Sequence, residues 1–134
     1  MPNHKLPRSL FERLSSRVEP VWIFDVAKHN MVWANRAGLE FWRAENVESL
    51  RERDFSDDSN AVRTRISSVY DKCRQGHGVL ETWTHYPLNE AVVTTIFVEL
   101  LKELDDCDAL LVTVVDASPT VPQSDARLVE LTRV

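Results

Sequence analysis

An α+β fold built on an antiparallel sheet is what this sequence predicts, on three observations. After Gly78 the hydrophobic pattern changes from the helical spacing of the preceding long segment to alternation. The strand-like runs are segregated from the helical ones instead of alternating with them. The connections Pro87–Glu90 and Glu103–Asp108 suit antiparallel neighbours and are too short for parallel crossovers.

Each element has a local cause. Residues 8–17 carry Leu10, Phe11 and Leu14 at amphipathic-helix spacing, and Pro20 ends that helix and opens a strand. Val21–Asp25 and Met31–Ala34 predict a hairpin around a polar turn in which Asn30 suits a left-handed backbone. Asn35 is placed to cap a short helix in which Leu39 and Trp42 share a face, and Asn46 starts another through Arg51. Asp57, Asp58 and Ser59 supply cap and dipole partners for the longest helix, 59–75. Val62, Ile66, Val69, Tyr70 and Cys73 form its buried stripe, and Gly76 closes it. Val79–Tyr86, Val92–Leu101 and Ala109–Val115 are rich in Val, Thr, Ile and aromatics, the composition of strands.

Composition narrows the function classes. At 134 residues the chain makes one domain able to bury roughly 68% of its unfolded surface. Net charge is −5, and the arginines sit among acids, so no basic stripe tracks a phosphate backbone and nucleic-acid binding is not expected. No apolar run approaches the roughly 20 residues of a membrane span, and Met-Pro-Asn-His-Lys lacks a signal-peptide core. Two cysteines do not make a disulfide framework, so a cytoplasmic location is expected.

Three patterns carry a resemblance to a known family. The first is the hairpin Pro20–Asn35 running through Trp33-Ala34-Asn35 into a helix. The second is Glu81-Thr82-Trp83-Thr84-His85-Tyr86-Pro87, and the third is Asp116-Ala117-Ser118 closing the last strand. In this order they resemble a PAS sensory domain over residues 20–118, with 1–19 as a helical flap and 119–134 as a linker and the start of an output helix. The resemblance implies a five-stranded antiparallel sheet with helices on one face and a small cavity between them. It implies a signal-sensing input domain, not an enzyme, of a larger protein such as a histidine kinase or a GGDEF-type cyclase. Homodimerisation and a covalently linked output domain follow from it as expectations. The cofactor is left unknown: Asp54–Ser59 stands where the flavin photosensors carry an Asn-Cys-Arg-Phe-Leu-Gln-like segment and has no cysteine, and the long helix offers no histidine for haem.

The cavity wall is expected from the long helix at Val62, Ile66 and Tyr70, from the shorter segments at Phe41, Trp42 and Phe55, and from the sheet at Trp83. Tyr70, Trp83 and Thr82 or Thr84 are candidate polar handles for an unidentified small molecule. Arg63 and Arg65 could instead reach in for a carboxylate, or lie on a solvated face. Cys73 and His77 lack the further ligands a metal would need. Asp116, in the last triplet, is the candidate for signal transfer to the output segment. Two other readings remain open: a ligand-free PAS scaffold that joins partners, and a cone-shaped α+β enzyme using His85 and Asp25.

Overall fold

The computed structural model describes residues 6–88, 90–104 and 107–119. Five strands form one antiparallel sheet in the order β2-β1-β5-β4-β3, where β1 is Val21–Asp25, β2 Asn30–Ala34, β3 Val79–His85, β4 Val92–Leu100 and β5 Ala109–Pro119. The two chain halves thus meet at the central β1–β5 pair, which aligns Trp22 with Val112 and Phe24 with Leu110. The helices are α1 (Arg8–Ser15), α2 (Arg36–Trp42), α3 (Val47–Arg51) and α4 (Asn60–Arg74).

The sheet is two-faced because its strands alternate. Trp22, Phe24, Ile96, Val98, Leu110, Val112 and Val114 pack with Trp42, Leu50, Val69 and Cys73 from α2, α3 and α4. Val21, Ile23 and Leu111 point to the other face, where Leu10 and Leu14 of α1 lie with no solvent exposure. The flap therefore covers the outer face over β1 and the start of β5. Farther out, Leu80 and Val115 stay exposed.

Caps explain the helix starts. Asn35, Asn46 and Ser59 accept hydrogen bonds from Gly38 N, Ser49 N and Val62 N. At the far end of α4, Gly76 takes φ +95° and its amide donates to Cys73 O, which ends the helix where a side chain would be strained. Gly38 has a different reason: a Cβ there would stand 2.5 Å from Val21 O, so only glycine lets α2 lie this close to β1.

Asn35 does more than cap. Its Oδ1 accepts from Gly38 N at 2.8 Å and from Val21 N at 3.1 Å. Its Nδ2 donates toward Glu19 O, Leu14 O and Arg17 O at 3.0, 3.2 and 3.3 Å. One buried amide ties the end of α1, the start of β1 and the start of α2.

The differences from the sequence expectation are local. The left-handed residue of the hairpin is His29, with φ 56°, not Asn30, which pairs with Asp25 as the first residue of β2. β5 continues past Val115 to Pro119, because β4 is long enough to pair with it as far as Val92. A bulge between Thr95 and Ile96 accommodates the extension. The expected output helix and the rest of the linker fall outside the described residues.

Asn35→Ala removes an N-cap and leaves two backbone amides and the carbonyls of the α1–β1 connection without their partner. It should cost about 3 kcal/mol, read as a lower urea midpoint at unchanged slope. Asn35→Asp keeps the acceptor but buries a charge beside three carbonyls, and should rescue little of the loss.

Candidate functional site

A cavity of about 660 Å³ opens between the inner sheet face, α4 and the segment joining α3 to α4. That volume lies in the usual range for small-molecule sites. Trp22, Phe24 and Met31 line it from the hairpin, Trp42 from α2, Ile96, Val98, Leu110 and Val112 from the central strands, and Trp83 and His85 from β3. Val62, Ile66 and Val69 close it from α4, and Phe55 from the loop before it.

Of the expected wall residues, Trp42, Phe55, Val62, Ile66 and Trp83 line the cavity. Phe41 stands behind the wall, stacked on Trp22 at 5.3 Å between centroids. Tyr70 turns away, its hydroxyl donating to Asp108 Oδ1 at 3.1 Å. Trp22, Phe24 and Met31 were not expected, although the alternation of the first strand already places Trp22 and Phe24 on one face.

Of the expected polar handles, Trp83 and Tyr70 are taken, while Thr84 lines the cavity. Trp83 Nε1 donates to Glu81 Oε1 at 3.1 Å, and Arg65 Nε donates to the same oxygen at 2.8 Å. The Arg65 guanidinium also lies 4.4 Å from the Trp83 ring, a cation–π contact that fixes the indole plane. Glu81-x-Trp83 is thus a clamp between β3 and α4. Arg63 bonds Asp58 O and Ser56 O and organises the loop at the mouth. Neither arginine reaches into the cavity as a carboxylate ligand, because both are held by nearer oxygens.

Trp42 Nε1 and His85 Nε2 are buried and have no hydrogen-bond partner among the described residues. His85 sits among rings, with centroids 5.4 Å from Trp22, 5.4 Å from Trp42 and 6.1 Å from a nearly parallel Trp83. Burial pushes its pKa down from 6.5 to about 4, so it is a neutral imidazole at neutral pH. No carboxylate orients it, and Asp25 is engaged by the turn amides of Ala27 and Lys28. The His85–Asp25 pair of the enzyme reading shares no hydrogen bond among the described residues.

The mouth is charged where the interior is not. Asp54, Asp57, Asp58 and Arg53 line it. Arg53 donates to Pro87 O at 3.0 Å and Arg43 O at 3.1 Å, and its partial burial lowers its pKa. His29 Nε2 meets Asp58 Oδ2 at 2.8 Å and ties the hairpin turn to the mouth loop.

The remaining candidates lie elsewhere. Cys73 is buried against Val98 O, its thiol pKa raised first by desolvation and then by Glu99, and His77 is exposed beyond the helix. No metal-binding cluster occurs among the described residues. Asp116 is exposed, pairs with Thr95 beside the bulge, and borders a shallow groove with Glu19 and Pro20. No described helix is long and apolar enough to cross a membrane.

No family model matches the chain, and no curated protein does. Solved structures do. A Rhodobacter sphaeroides LOV protein aligns with TM-score 0.61 at 15% identity, over 94% of this chain and 80% of that one. A light-oxygen-voltage domain from a flavin-analogue study aligns with TM-score 0.56 at 13% identity, over 93% of both chains. An RNA-binding light-oxygen-voltage receptor gives 0.59 at 15%, over 99% of this chain and 39% of its own.

These likenesses correct one expectation. The cofactor is left unknown in the sequence because Asp54–Ser59 lacks the flavin photosensors' cysteine motif, yet the matching folds are light-oxygen-voltage proteins. A reactive cysteine reports a covalent step, whereas holding a flat ring requires a cavity assembled from distant residues, which a six-residue signature does not measure.

His85 makes stability depend on pH. Its folded pKa lies below the unfolded one, so only the unfolded chain takes the proton as pH falls from about 6.5 to about 4. Stability should therefore drop by about 3 kcal/mol across that window and level off below it. His85→Phe should flatten this part of the profile in urea unfolding measured at a series of pH values. Five antiparallel strands, their order and the helices laid on one face give this chain the PAS fold, in the form shared with the light-oxygen-voltage proteins.

Proposed function

We propose that this chain is the signal-sensing input domain of a larger cytoplasmic protein and that its cavity binds a small planar ligand of the flavin class. The aromatic-walled cavity carries the reading. The residues fit such a group: Trp22, Trp42 and Trp83 offer apolar faces, and Thr84 adds a hydroxyl to the lining. A bound flavin supplies light absorption or redox chemistry. The chain's own part is to exclude water, orient the ring and respond to its state. Val62, Ile66 and Phe55 would touch it from above, and Phe41 and Tyr70 would support that wall from behind.

Transmission would run through β5, whose inner residues Leu110 and Val112 line the cavity and whose far end would lead into an output domain. Asp116, exposed beside the bulge, is placed to contact that domain. Histidine kinases and GGDEF-type cyclases are output types of this kind. A ligand shifts such a switch only by its differential affinity for the two states.

A second reading, a PAS scaffold that dimerises without a ligand, draws on the uncovered outer face at Leu80 and Val115. Ile66→Trp separates the two, because it fills the cavity without touching the outer face. Native mass spectrometry of fresh protein should show a bound small molecule. Riboflavin at about a hundredfold excess over its Kd should stabilise the fold by about 2.7 kcal/mol in thermal melts, an effect Ile66→Trp abolishes. Absence of any bound molecule together with flat melts would leave only the scaffold.

A further inference from the structure

The cavity is not equally polar along its depth, and that gradient orients what enters it. Its floor is made by the middle of β4 and β5 and the second half of α4. Val69, Ile96, Val98, Leu110 and Val112 line it there, each at most 6% exposed and each without a polar side-chain atom. The two strands are paired on both sides, β4 with β3 and β5, and β5 with β1 and β4, so their backbone groups are engaged in the ladders. Trp42 Nε1 and His85 Nε2 are buried and add no accessible polar atom.

Hydroxyls and charges enter the lining at the other end. Thr84 and Tyr86, at and just after the end of β3, are exposed, as are Asp54 and Asp57 of the mouth loop. A planar heterocycle such as the flavin ring has two unlike edges. One carries two carbonyls and an imide N–H, and the other carries only C–H and methyl groups. Set on the floor, the polar edge would give up its hydrogen bonds to water and find none in return. The C–H edge gains from the same surface by leaving water.

We infer that the cavity takes its ligand apolar edge first, seats that edge on Val98, Leu110 and Val112, and keeps the ligand's carbonyl and N–H groups at the mouth beside Thr84. Specificity then lies in what the inner edge lacks. A heterocycle with a hydroxyl or a charge on that edge is rejected, whereas one with alkyl groups there is accepted. This deepens the ligand reading above and rests on it.

Lumiflavin, which has the flavin ring without the sugar-alcohol tail, and its 8-hydroxy analogue differ only at the edge that this orientation buries. Isothermal titration should find the hydroxy analogue bound at least about tenfold more weakly. Val112→Thr keeps the side chain's shape, puts a hydroxyl on the floor and should weaken lumiflavin about threefold to fivefold. If that variant does not fold, the comparison of the two ligands on the unaltered protein decides. Isotope-edited infrared difference spectra should show both carbonyl stretches of bound lumiflavin close to their positions in water. Equal or tighter binding of the hydroxy analogue, undiminished affinity in folded Val112→Thr, or carbonyl bands moved to their positions in a hydrocarbon solvent would each overturn the inference and leave the ligand site standing. Failure of lumiflavin and riboflavin alike to bind removes the ligand site, and the inference with it.

Discussion

The buried amide of Asn35 is the constraint on which the rest of the structure depends. Three chain segments converge on it: the end of α1, the first residue of β1 and the first turn of α2. Each brings backbone groups that water can no longer reach, and a primary amide is the smallest side chain with two donors and two acceptor lone pairs to meet them. Gly38 completes the junction by letting α2 approach β1 closely. With these fixed, α1 lies on the outer face, α2 turns under the inner one, and Trp42 is carried to the cavity wall. The flap, the sheet and the site are therefore set by one hydrogen-bonding centre.

The cavity exists because α4 is held off the sheet instead of collapsing onto it. Val69 and Cys73 in its second half are buried against Val98 and its neighbours, while Val62 and Ile66 in the first half are only partly covered. Arg65 and Arg63 hold that first half in place through Glu81, Trp83 and the mouth loop. Polar clamps of this kind fix a distance that apolar packing alone would close. The result is a rigid wall in the sheet and a less buried one above it, which is the asymmetry a responsive pocket needs.

Chemistry is partitioned along the same axis. The interior offers rings and aliphatic side chains, and the mouth offers charge. The fold is shared with the light-oxygen-voltage proteins at low identity, so the side chains of the cavity, and not the architecture, set this chain apart.

The strand alternation after Gly78, the caps at Asn35, Asn46 and Ser59 and the stop at Gly76 were legible in the sequence, because each is set by interactions within a few residues. So was the α+β class, which follows from the order in which those elements occur. Val62 and Ile66 of α4 were legible as wall residues from helical spacing, whereas Tyr70 of the same stripe turns to Asp108 and Val69 lines the cavity in its place. Tertiary structure alone decided which nitrogens are left open. Trp83 and Tyr70 looked like the polar handles, but Glu81, Arg65 and Asp108 claim them. Trp42 and His85 emerged as unpaired only after β1, α2 and β3 were brought together. The His29 backbone and the length of β5 were likewise fixed by pairing with partners outside the local segment. Local sequence determines where hydrogen-bonding groups sit along the chain, but whether each finds a partner depends on contacts between residues far apart in it.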